Sequence, residues 1–93
     1  MIHEPFVGEA VVSTAGHDEG KAFVITAIGE NPFVFIADGD TRTVAKPKKK
    51  KRMHLISFPK KGRNGLEALM QGGQVTDADV RKYLKSLSSG QDT

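Results

Sequence analysis

Between residues 7 and 58, glycine, proline and an Asp-Gly pair cut the chain into five short apolar runs. This punctuation constrains the fold more than any other feature. Runs of four to eight residues rich in β-branched and aromatic side chains, bounded by turn residues, read as strands. They fall at 7–14, 21–28, 33–37, 41–45 and 53–58. Spacing of this kind predicts a small barrel or sandwich. Asp38-Gly39 is a strong hairpin signal, because both turn positions then need positive φ, and it is expected to join the third run to the fourth. The third run is apolar on both faces and is expected near the barrel centre. Pro47 cannot donate to a ladder, so pairing is expected to lapse there.

The last third of the chain changes period. Thr76 and Asp79 form a capping-box-like pair, with Asp in place of Glu, and Val75 and Val80 take the staple positions. Val80, Tyr83, Leu84 and Leu87 follow i, i+3, i+4, i+7 and make one apolar stripe. These signals predict a helix over about 76–87, with Lys82 and Lys85 toward its negative end and a polar, frayed tail from Ser88. Residues 66–71 suit one or two further helical turns, ended by Gly72-Gly73. The chain thus reads as a barrel domain over 1–59 and a C-terminal extension over 60–93. A chain of 93 residues buries about two-thirds of its unfolded surface or less, which disfavours a large internal active site.

Charge is distributed unevenly. Residues 1–40 hold seven acids and one base, 41–66 hold ten bases and no acid, and 67–93 hold four acids and three bases. Such clustering is the footprint of a polyanion binder. Its centre is the run Lys46-Pro47-Lys48-Lys49-Lys50-Lys51-Arg52. A solvated linker would need a second domain beyond it. A nuclear address leaves the rest of the chain unexplained. A membrane-surface role needs an apolar anchor beside the charge, and none is visible. Lying between two strand candidates, the run is expected to be a basic loop held at both ends by the barrel.

A second candidate is the loop at 13–21, where Ser13, Thr14, His17 and Lys21 surround Gly16 and Gly20. Glycines let backbone N–H groups approach an anion closely, although an ordinary hairpin loop fits the same spacing. It is not a P-loop: Ala22 follows Lys21, and a strand follows in place of a helix. His3, His17 and His54 lack ligand spacing, so no metal is expected. Asp38 and Asp40 suit turn chemistry. No nucleophile–base pair stands out, so neither an enzyme nor a cofactor is expected. The chain has no cysteine, no apolar stretch of membrane-spanning length and no signal-peptide pattern at its start, which suggests a soluble cytoplasmic protein.

The stretch Val11-Val12-Ser13-Thr14-Ala15-Gly16-His17-Asp18-Glu19-Gly20-Lys21-Ala22-Phe23-Val24-Ile25 resembles a KOW motif. With Ala37-Asp38-Gly39-Asp40-Thr41-Arg42 and Lys46-Pro47-Lys48-Lys49-Lys50-Lys51-Arg52-Met53-His54-Leu55, it resembles the bacterial KOW-domain RNA-binding proteins. Those are similar in turn to the archaeal and eukaryotic large-subunit ribosomal protein family called fourteen-e. The resemblance covers about residues 8–58. It implies an SH3-like β-barrel that binds RNA through the KOW loop and neighbouring basic residues. The positions matching that pattern are Ser13, Gly16, Asp18, Gly20, Lys21, Asp38, Gly39, Arg42, Lys46, Pro47, Lys48 to Lys51 and His54. Position 17, often basic in the family, is His17 here.

The expected fold is therefore mostly β: a small SH3-like barrel of about five strands with a C-terminal α-helix. The expected function is binding of folded RNA, ribosomal RNA of the large subunit first, with ribosomal proteins as further partners and a monomer when free. The expected contacts are Ser13, Thr14, Gly16, His17, Gly20, Lys21, Arg42, Lys46, Lys48, Lys49, Lys50, Lys51, Arg52, His54, Lys60, Lys61 and Arg63. Lysines position a backbone and do not read bases. There is no Trp and only one Tyr, and most Phe residues are expected in strand cores, so sequence-specific readout of single strands is not expected. The alternative is a protein-interaction module docking on a ribosomal or transcription partner.

Overall fold

The computed structural model describes residues 5–58 and 75–89. They form a single antiparallel sheet and a helix: β1 (Ala10–Ser13), β2 (Ala22–Ile28), β3 (Phe33–Ala37), β4 (Lys48–Lys51), β5 (Leu55–Ser57) and α1 (Asp77–Ser89). The strand order is β4-β3-β2-β1-β5, with a 3₁₀ turn over Arg52–His54 between β4 and β5. This is the mostly β architecture of a small SH3-like barrel with a C-terminal helix. The helical turns expected at 66–71 lie outside the described residues. Among the described residues, no helix is long and apolar enough to cross a membrane.

Successive strand residues point to opposite faces, and both faces of β1 and β2 are covered. Val11, Phe23, Ile25, Val34, Ile36 and Leu55 form the interior cluster. Ala10 and Val24 point the other way and are covered by Val80, Tyr83 and Leu84 of α1. A bulge at Thr26 shifts the β2–β3 register between Ile25 and Ala27, which leaves Ile25 inside and Ala27 exposed.

The helix follows its sequence signals. The Thr76 hydroxyl accepts from the Asp79 amide at 3.2 Å, and the Asp79 carboxylate accepts from the Thr76 amide at 3.0 Å. Val75 and Leu87 pack at the margin of the helix–sheet cluster. α1 runs to Ser89, past the expected end, so Lys85 lies more than one turn from its terminus. Thr76→Ala should cost about 1 kcal/mol. A thermal melt followed by circular dichroism should then drop by about 4–8 °C.

Contrary to expectation, residues 41–45 do not form a strand, and the basic run does not form a loop. Asp38 accepts from the amides of Asp40 and Arg42 and from the Thr41 hydroxyl, while Asp77 accepts from the Val44 amide at 2.7 Å. Side-chain carboxylates thus take amides that a ladder would have used. Burial would raise the Asp38 pKa, but these donors outweigh it and hold the carboxyl below its ordinary range. The Asp-Gly pair is not the two-residue turn expected either: Gly39 has φ of +79°, and no non-glycine among the described residues has positive φ. Pairing resumes at Lys48, directly after Pro47, with Phe33 opposite Lys51, Val34 opposite Lys50, Phe35 opposite Lys49 and Ile36 opposite Lys48.

Candidate nucleic-acid interface

A strand of four lysines has two faces with different chemistry. Lys48 and Lys50 share the face of Ile36 and Val34 and so point toward the interior. Such ammonium groups must be paired to be buried. The partner is Asp18, in the loop between β1 and β2. Lys48 Nζ lies 2.8 Å from Asp18 Oδ2, and Lys50 Nζ lies 3.0 Å from Asp18 Oδ1. Lys50 Nζ also donates to the Ala15 carbonyl at 2.8 Å, and the Ser13 hydroxyl donates to Asp18 Oδ1 at 2.8 Å. Burial would raise the Asp18 pKa. The hydrogen bonds from Lys48, Lys50 and Ser13, with the Lys50 charge, reverse this and hold the carboxyl far below the ordinary range. The loop is thereby fastened to β4.

The loop itself is wound tightly. Gly16 and Gly20 both have φ of +88°, a conformation costly for other residues. A side chain at Gly16 would also sit 3.5 Å from Lys50 Nζ. The amides of Glu19, Gly20 and Lys21 donate to the carbonyls of Gly16, Ser13 and Asp18. These three amides serve the loop's own turns, so they do not form the anion nest that its glycines suggest.

Fastening the loop creates a groove. His17, Asp18 and Lys21 from the loop, Phe23 from β2, Thr41 and Arg42 from the 38–46 segment and Lys48 from β4 line a depression of about 260 Å³. Lys21 and Arg42 are exposed, and among the described residues neither has a carboxylate within ion-pair distance. Asp38, beneath Arg42, spends its carboxylate on backbone amides and the Thr41 hydroxyl. The 38–46 segment is held from the other side by α1, where Arg81 Nη1 donates to the Gly39 carbonyl at 2.6 Å and Asp77 accepts from Val44. Compared with known proteins, the chain matches no family model and no curated sequence.

Of the contacts expected from sequence, the groove unites His17, Lys21, Arg42 and Lys48. Ser13 and Lys50 are interior: Ser13 is 1% exposed and Lys50 8%, so neither presents its polar group at the surface. Lys49 and Lys51 point to the opposite, outer face of β4, where Lys49 Nζ lies 4.8 Å from the centre of the Phe33 ring. Arg52 donates to Asn31 Oδ1 at 3.4 Å, and its amide donates to the Pro32 carbonyl. Thr14 is exposed at the other end of the loop, its amide bonded to the His54 carbonyl. Lys46 is exposed in a turn closed by Thr43. Lys60, Lys61 and Arg63 lie outside the described residues. Sequence reasoning missed Thr41 and Phe23 as lining residues and the organising role of Asp18. Among the described residues, no three His, Cys, Asp or Glu side chains cluster in a way that would hold a metal ion.

Proposed function

We propose that the protein binds the phosphate backbone of folded RNA, with ribosomal RNA as the first candidate, through the groove between the β1–β2 loop and the 38–46 segment. The observation that carries this reading is the convergence of His17, Lys21, Thr41, Arg42 and Lys48 from separate stretches of chain onto one concave surface. Lys21 and Arg42, which among the described residues have no carboxylate within ion-pair distance, and the Thr41 hydroxyl suit a phosphodiester, while the Asp18 carboxylate in the same lining is taken up by Lys48 and Lys50. Lys48 contributes to the field while remaining bonded to Asp18. Lys50 has no part in the contact, because its ammonium is interior.

Each phosphate contact adds about 0.7–0.9 to the slope of log affinity against log salt. Replacing Lys21 and Arg42 together by Ala should weaken binding to structured RNA and flatten that slope by about 1.4–1.8. An unaltered slope would overturn the groove as the contact. Sedimentation of the tagged protein through a lysate gradient at ~0.1 M and ~0.5 M salt tests the ribosomal target. Migration with the large subunit that weakens at high salt supports it. Salt-insensitive capture of a protein with no RNA retained would point to the docking-module alternative.

A further inference from the structure

The outer face of β3 and β4 holds a second arrangement that the groove does not use. Alternation along β3 sends Val34 and Ile36 inward and Phe33 and Phe35 outward. Both rings are only half-buried, whereas Phe23 is fully buried. Phenylalanine in strands is therefore not all core here, contrary to the expectation from sequence. Across the strand pair, Lys49 stands opposite Phe35 and Lys51 opposite Phe33, and both lysines are exposed. On the other side of Phe35 the register places exposed Ala27. Gly29 lies against the Phe35 ring so closely that a Cβ there would be 2.9 Å from Cε2. The rings thus stand among small neighbours on one side and ammonium groups on the other. Among the described residues no carboxylate lies within ion-pair distance of Lys49 or Lys51.

Aromatic rings on a sheet surface with cations beside them match the chemistry of an unpaired nucleotide. The base stacks on the ring and the flanking phosphate meets the ammonium. Lysines on an edge strand also keep that strand from pairing with another chain, but that role places no demand on Phe33 or Phe35. We propose that the outer face of β3–β4 binds single-stranded RNA, stacking an unpaired base on Phe35 or Phe33 with Lys49 and Lys51 at its phosphates. This rests on the RNA-binding reading and adds to it a second subsite, selective for unpaired nucleotides and separated from the groove by the thickness of β4. A target with a duplex beside an unpaired loop or bulge would engage both.

The test uses fluorescence anisotropy with two labelled probes, an oligouridylate and an RNA duplex without overhangs, on the full chain. Phe35→Leu and Phe33→Leu should lower affinity for the oligouridylate by about 5- to 150-fold for the ring that carries the base. Duplex affinity should stay within about twofold, which also shows that the barrel is intact. Lys49→Ala with Lys51→Ala should weaken the oligouridylate selectively and flatten its salt slope by about 1.4. Lys21→Ala with Arg42→Ala should weaken the duplex in every case. Loss of duplex binding in the groove variant, with no change in either phenylalanine variant, overturns the stacking face and leaves the groove. Selective loss in a phenylalanine variant, with no effect of the groove variant, overturns the groove and leaves the stacking face.

Discussion

Asp18→Asn should lower the melting temperature by more than about 10 °C. The change is nearly isosteric, so its cost is electrostatic. Asp18 is 7% exposed and neutralises two lysines, one with a side chain only 9% exposed. Removing one partner of a buried pair typically costs about 3–5 kcal/mol, because the other charge is left without compensation. At about 4–8 °C per kcal/mol for a domain of this size, that shift is easily measured. The double variant Asp18→Asn with Lys50→Met should recover much of the loss, since Met fills the Lys50 stem volume without a charge to bury. If Asp18→Asn melts within about two degrees of the parent, the loop is not held to β4 by this cluster.

The same cluster fixes the sign of an acid transition. The folded-state pKa of Asp18 lies far below its unfolded value of about 3.9. Between those two values the unfolded chain binds more protons, so stability rises with pH across that window. The contribution is complete above the unfolded pKa and is lost as pH falls toward the folded one. Asp38 and Asp79 shift in the same direction, through backbone amides at Asp38 and through the Thr76 amide and hydroxyl at Asp79. The parent alone therefore reports a sum. The difference between the parent and Asp18→Asn isolates Asp18, and it should shrink as pH drops below about 4.

Much of this was legible from local pattern. Four strands appear where β-branched residues and turn punctuation place them, and α1 begins at its capping box. β4 was not legible, because alternation cannot be seen in four identical residues and lysine favours strands little. What turns Lys48 and Lys50 inward is Asp18, 30 and 32 positions away along the chain. Residues 41–45 failed for the converse reason. Thr-Arg-Thr-Val-Ala has β character, but Asp38 and Asp77 take the amides of Arg42 and Val44. The groove was half legible: its charges are in the sequence, while their convergence depends on the loop-to-β4 tether and on α1. The outer phenylalanines were hidden because a run apolar on both faces reads as buried on both.

Gly39→Ala should destabilise the fold by about 2–4 kcal/mol, the sum of a left-handed backbone cost of about 1–2 and an overpacking cost of similar size. Gly39 has φ of +79°, and a Cβ there would lie 2.5 Å from the Asp77 carbonyl oxygen and 2.9 Å from Arg81 Cγ. Arg81 Cγ can rotate away, but the carbonyl belongs to the first turn of α1 and moves only with the helix. The substitution therefore pushes the 38–46 segment and α1 apart. It strains the 2.6 Å bond from Arg81 to the Gly39 carbonyl and the 2.7 Å bond from the Val44 amide to Asp77. Arg81→Ala, which removes only a side-chain contact, should cost about 1 kcal/mol. The functional consequence separates this site from a general loss of stability. Thr41 and Arg42 hang on the displaced segment, so Gly39→Ala should weaken binding of duplex RNA even at a temperature where the variant is fully folded. Thr76→Ala, which loosens the same helix without touching that segment, should leave duplex binding within about twofold. Equal effects of the two variants on binding would mean that the helix does not set the position of Arg42.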